Sequence, residues 1–235
     1  MTASTTVRRL TFADPGEAAG FAALLQRLVR WEKNASVRVK SGGGRDEGRG
    51  ESGVVGVFAK PARFEVLAIR TARLLRPIEL DSTVAAGELL ESVDEGAEAM
   101  TVPSPVTGPS WAGVLPPRSG WQPLGELPTD SVRTVAAATV KEFRERAERL
   151  TQRDRGTLDA LAEEIWSRPL GRTELPLRAV HAAHALGFLH GQQPTTLLSA
   201  GSWLRLRTRY GSVAVRTSVG PSLSVTPTAP GGHGS

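Results

Sequence analysis

Cysteine is absent from the 235 residues, which removes disulfide frameworks, thiolate metal sites, cysteine nucleophiles and thiol redox chemistry together. Lysine is nearly absent too: Lys33, Lys40, Lys60 and Lys141 are the four among 29 basic side chains. Arginine therefore carries the positive charge, in the proportion that GC-rich codons of a bacterial chain give. Aromatics make up 5% and tyrosine occurs once. No long apolar run is present. Ala99–Pro117 and Ala179–Leu204 lack Asp, Glu, Lys and Arg, but the first holds five prolines and the second three histidines and two glutamines. Neither reads as a membrane-spanning helix, so no membrane partner is expected. The opening MTASTTVRRLTF shows no secretory signal, and the expected location is the cytoplasm.

Acidic residues are missing from one region in particular. The chain carries a net charge of +5, and Asp and Glu stop altogether after Glu174. Residues 1–95 hold 14 basic and 13 acidic side chains and residues 130–170 hold eight of each, whereas residues 171–235 hold six and one. A basic excess confined to one segment points to an anionic partner there more than to a general solubility charge.

Periodicity then divides the chain. Val7–Phe12 alternates as a short strand, and Asp14-Pro15-Gly16-Glu17 has the chemistry of a helix start, with Asp14 as cap and Glu17 closing a capping box. Ala18, Phe21, Leu25, Leu28 and Val29 form a helical stripe ending near Trp31. Val37–Lys40, Val54–Phe58 and Phe64–Ile69 read as three strands, the glycine-rich Gly42–Gly53 as a mobile tip or loop, and Ser82–Val93 as a second helix. Between Gly96 and Pro128, prolines and the indoles of Trp111 and Trp121 suggest a stiffened connection that wraps the body. Helices are then expected from Asp130, from Thr157 and from about Pro176 to His190, followed by a hairpin turning at Tyr210-Gly211.

The fold class expected is α+β. An N-terminal β-α-β-β-β-α module occupies 1–95, a Trp/Pro-rich wrapping connection 96–129, a helical unit with a C-terminal β-hairpin 130–217, and a disordered tail 218–235. The helix–three strands–helix order of Pro15–Val93 superficially resembles a double-stranded-RNA-binding domain. That family places a lysine-rich cluster at the start of its last helix, and Ser82–Glu88 has no basic residue, so its activity is not carried over.

Three constellations could carry chemistry. His181 and His184, three apart on one helix, are the weak metal candidates, but no carboxylate lies nearby in sequence; His184 is expected in the core stripe with Leu177, Val180 and Phe188, and His190 at the helix end. Ser110 sits in a relaxed nucleophile-elbow pattern without the strand such an elbow needs. The clearest pattern is the hairpin. Trp203, Arg205, Arg207 and Arg209 alternate with Leu204, Leu206 and Thr208, and the return strand adds Arg216 to the same face. A row of guanidinium groups with an indole at its end can follow a phosphate backbone. A second docking surface is expected at Trp111, Pro116, Pro117, Arg118 and Trp121.

The function expected is therefore that of a non-catalytic binding or regulatory protein with no cofactor, contacting nucleic acid or another polyanion through the hairpin. A protein–protein adaptor without nucleic-acid binding and a His-dependent hydrolase or metal enzyme are the alternatives.

Overall fold

Two alternating segments far apart in sequence build one sheet. The computed structural model describes residues 8–46, 50–106, 114–151 and 154–217, with side chains for all of these except 43–46 and 50–52. From the first half come β1 (Arg8–Thr11), α1 (Glu17–Trp31), β2 (Ser36–Asp46), β3 (Gly50–Ala59), β4 (Leu67–Leu74), β5 (Leu80–Ala85), α2 (Ala86–Glu91), β6 (Val93–Asp94) and β7 (Ala99–Val102). The second half supplies β8 (Gln122–Leu127), α3 (Thr129–Glu148), α4 (Arg155–Trp166), α5 (Leu177–Ala185), β9 (Thr195–Ala200), β10 (Trp203–Thr208) and β11 (Gly211–Arg216). The fold is α+β. Eight strands form an antiparallel sheet in the order β5-β2-β3-β4-β11-β10-β9-β8, and β1, β7 and β6 form a small second sheet.

The joint between the halves is the pairing of β4 with β11, where Ile69, Ala68 and Leu67 stand opposite Ser212, Val213 and Ala214. On the inner face, Val37, Val39, Val55, Val57, Val213, Leu204 and Leu206 pack with Phe21, Leu25, Val180 and Ala183 of the helices in one continuous core. Burying such a side chain contributes about 1.5–3 kcal/mol relative to leaving it exposed, so this inner face dominates the stability.

Several local expectations give way to longer-range pairing. Ser82–Ala85 belongs to β5 and not to a helix, because Leu80 and Val84 alternate inward against β2, with Val37 opposite Val84. The glycine-rich stretch is not all loop: the β2–β3 ladder continues to Asp46 opposite Gly50, since backbone pairing needs no side chain. Asp14 does not cap α1. It pairs with Arg73 at 2.7 Å, and the cap comes from Glu98, whose carboxylate accepts from Gly16 N at 2.6 Å and Ala18 N at 3.0 Å. Pro128 rather than Asp130 precedes α3, and Asp130 pairs with Arg133 inside the first turn. The third helix of this half stops at Ala185, because Gly187 adopts φ 72° and turns Phe188 and Leu189 into the core. The hairpin turns one residue earlier than expected, at Arg209-Tyr210, with Thr208 opposite Gly211. The tail from residue 218 lies outside the described residues.

Candidate polyanion-binding site

Because Leu204 and Leu206 face the core, the period of two sends Trp203, Arg205 and Arg207 to the opposite, outer face of the sheet. Register then places Arg216 beside Trp203, Ala214 beside Arg205 and Ser212 beside Arg207. The outer face is not bare. Leu67, Ile69 and Ala214 form a small apolar cluster there, and Leu115 of the proline-rich segment packs on it with Phe58 and Trp203.

The two surfaces singled out in the sequence meet at this point. Trp121 lies with its indole 5.5 Å from the Arg205 guanidinium, and its Nε1 donates to the Pro117 carbonyl at 2.9 Å. That bond and Gly120, at φ 79°, close a tight loop that fixes the ring. Trp203 offers its own face to Arg216 at 5.9 Å. Each guanidinium is thus laid over an indole, which holds its plane while its edge N–H groups remain available. Arg205 spends one donor, Nε, on Ser212 Oγ at 2.8 Å.

Electrostatics separates this end of the outer face from the other. On β2, Arg38 and Lys40 are both neutralised by Asp81, at 2.7 and 2.8 Å, and their company pulls the Asp81 carboxyl down to about 2, with Arg38 the main cause. On β10 and β11, Arg205, Arg207 and Arg216 have no carboxylate partner among the described residues. Burial, with a smaller contribution from neighbouring Arg207, lowers the Arg205 pKa to about 10. It remains charged at neutral pH, as a partly desolvated cation without a counter-charge.

Other sequence candidates are dispersed. Arg209 is exposed in the hairpin turn, next to Tyr210. Pro116 and Pro117 stay with Trp121, but Arg118 points elsewhere: its Nη2 lies 3.5 Å from where a Cβ on Gly42 would stand, beside the Glu79 carboxylate. Trp111 and Ser110 lie outside the described residues. The histidines exchange places with expectation. His184 is exposed, and His181 is the packed one, stacked on Trp166 at 4.2 Å. His190 lies beyond the helix, its Nδ1 against the Gly187 carbonyl. Among the described residues no three His, Asp or Glu side chains are grouped so as to hold a metal ion, and no helix is long and apolar enough to cross a membrane. Sequence reasoning missed the aromatic surroundings of His181, which Phe64 and Trp166 provide directly, with Trp31 packed behind Phe64 and Phe143 behind Trp166.

Residues 5–113 match a domain of unknown function (DUF8010), and residues 116–220 match a second domain of unknown function (DUF8185). The first match spans β5, β2, β3 and β4 and the second spans β11, β10, β9 and β8, so the division coincides with the β4–β11 joint of the sheet. No curated protein and no solved structure matches the chain.

Proposed function

We propose that this is a non-catalytic binding protein that grips a polyanion, with a single-stranded phosphodiester chain as the best-fitting case, across the outer face of β10 and β11. One observation carries the reading: Arg205 is a partly buried cation with no carboxylate partner among the described residues, and the exposed Arg207 beside it on the same face has none among them either. A phosphate oxygen brought to Arg205 restores the compensation that burial removed, and charge-assisted bonds of this kind contribute about 1.5–3 kcal/mol each. The indoles of Trp121 and Trp203 favour a nucleic-acid partner, since they keep the guanidinium forks oriented and add apolar surface against which a base can rest. Among the described residues, the packing of the His181 ring against Phe64 and Trp166 gives it a structural role and supports the non-catalytic reading.

Fluorescence anisotropy with labelled single-stranded and duplex oligonucleotides at low and moderate salt tests the proposal. The natural chain should bind with a salt-sensitive affinity, the single strand more tightly. Arg205→Ser with Arg207→Ser should weaken it and flatten the dependence of log affinity on log salt by roughly two phosphate contacts. Absence of binding at low salt, or binding that the double variant keeps, overturns the reading and leaves a protein partner as the class to seek. Inorganic polyphosphate as competitor separates a general polyanion site from one that needs bases.

A further inference from the structure

On the opposite side of the sheet, the helices and the turn before β4 enclose a second concave surface. Phe64 packs edge-on against His181 with centroids 5.0 Å apart, His181 stacks on Trp166 at 4.2 Å, and Trp166 meets Phe143 at 5.6 Å. At the other end Trp31 meets Phe64 at 5.2 Å, and the Arg63 guanidinium lies 5.5 Å from both of those ring centres. Of these rings, Phe64, His181, Trp166 and Phe143 line a cleft of about 870 Å³ between the turn, α3, α4 and α5. The size falls within the range of sites that hold small molecules.

The charges around the cleft do not cancel in place. Its carboxylates are Glu65, Asp159 and Glu163. Arg178 engages both Glu65 and Glu163, and Arg155 faces Asp159 at 3.6 Å. Arg63 and Arg144 are left with no carboxylate partner among the described residues. Both lie close enough to His181 to depress its basicity, after burial as the largest cause and with His184 also contributing, and the imidazole is neutral at pH 7. A neutral imidazole offers one donor without adding charge.

We propose that this cleft binds a small organic anion with a flat apolar body, its carboxylate or phosphate group taken by Arg63 and Arg144 and its body laid against Phe143 and Trp166. Two guanidiniums without a carboxylate partner among the described residues set the sign of the ligand, and the partly exposed rings set its shape. A neutral ligand would leave the arginines uncompensated, and an inorganic anion would leave the rings uncovered. The site is on the face opposite Arg205 and is independent of the polyanion reading.

Calorimetric titration of the full chain with 1-naphthoate, 1-naphthyl phosphate and 2-naphthylmethanol provides the test. At least one of the two anions should bind saturably at a single site, roughly tenfold or more tightly than the neutral alcohol. The double variant Arg63→Gln with Arg144→Gln, which alters two exposed side chains, should lose about tenfold or more in affinity while its thermal midpoint stays close to that of the natural chain. Arg205→Ser with Arg207→Ser should bind the anion unchanged, so failure at one site is distinguishable from failure at the other. The tighter of the two anions identifies carboxylate or phosphate as the preferred head group. No saturable binding of either anion up to about 1 mM, or binding unaffected by the Arg63 and Arg144 changes, overturns the proposal.

Discussion

The guanidinium of Arg70 occupies the space that a side chain at position 20 would need: a Cβ on Gly20 would stand 1.8 Å from Nη2. Arg70 points from the inner face of β4 under α1, with its charge 5.3 Å from the Phe21 ring. Nη2 donates to Glu17 Oε2 at 2.9 Å and Nη1 to the Tyr210 carbonyl at 2.6 Å. One side chain therefore ties the first helix, the centre of the sheet and the turn of the C-terminal hairpin. Burial lowers its pKa, an effect that Glu17 opposes.

Gly20→Ala should consequently reverse the usual helix rule. In an unobstructed helix interior the change stabilises by about 1 kcal/mol. Here the methyl displaces Arg70 from Glu17, and loss of such a buried charged bond costs about 1.5–3 kcal/mol, so the variant should be less stable on balance. Urea denaturation measures this. In an Arg70→Met background the penalty should shrink or change sign, and equal effects in both backgrounds would contradict the clash.

Stability should also depend on pH through His181. Its folded pKa is lowered from 6.5 to about 4, chiefly by burial. The unfolded chain takes up a proton near 6.5 while the folded chain resists until about 4, so protonation favours unfolding. The contribution is complete above pH 6.5 and is lost as pH falls through that window. His181→Phe, which keeps a flat ring between Phe64 and Trp166, should show a shallower fall in thermal midpoint between pH 6.5 and 4. The carboxylates are common to both proteins, so parallel curves would exclude His181 as the cause.

Trp121→Leu separates orientation from charge at the outer face. It removes the indole over Arg205 but no cation. Stability should drop by about 1–2 kcal/mol, between the values of exposed and desolvated cation–π contacts, since Arg205 is partly buried. Oligonucleotide affinity should fall while the salt slope stays unchanged, because the number of phosphate contacts is set by the arginines. A flattened salt slope would mean that the ring acts by holding the arginines themselves in place.

Elements with a strong local period were legible: α1, α3, α4 and the hairpin follow stripes visible in the sequence. β5 was not, because Val84, Leu89 and Leu90 also fit a helical stripe, and only pairing with β2 decides between the two periods. The cap of α1 was illegible for a different reason. Asp14 and Glu17 have the right local chemistry, but Arg73 and Arg70 claim them, and Glu98 arrives from a distant turn with φ 44°.

The candidate site divides in the same way. The sequence by itself determined that Trp203, Arg205 and Arg207 share a face, since side chains alternate along a strand, whereas Arg216 joins them through the β10–β11 register that sets it opposite Trp203. It also determined that no carboxylate beyond Glu174 could neutralise them from within their own segment. Only the tertiary structure decided that Trp121 covers Arg205, that Asp81 serves β2 and not β10, and that His181 rather than His184 is packed among rings. The physical reason is range. Periodicity and capping act over a turn or a few strand residues, whereas the contact of Arg70 with Tyr210 joins positions 140 apart and forms only when both halves close one core.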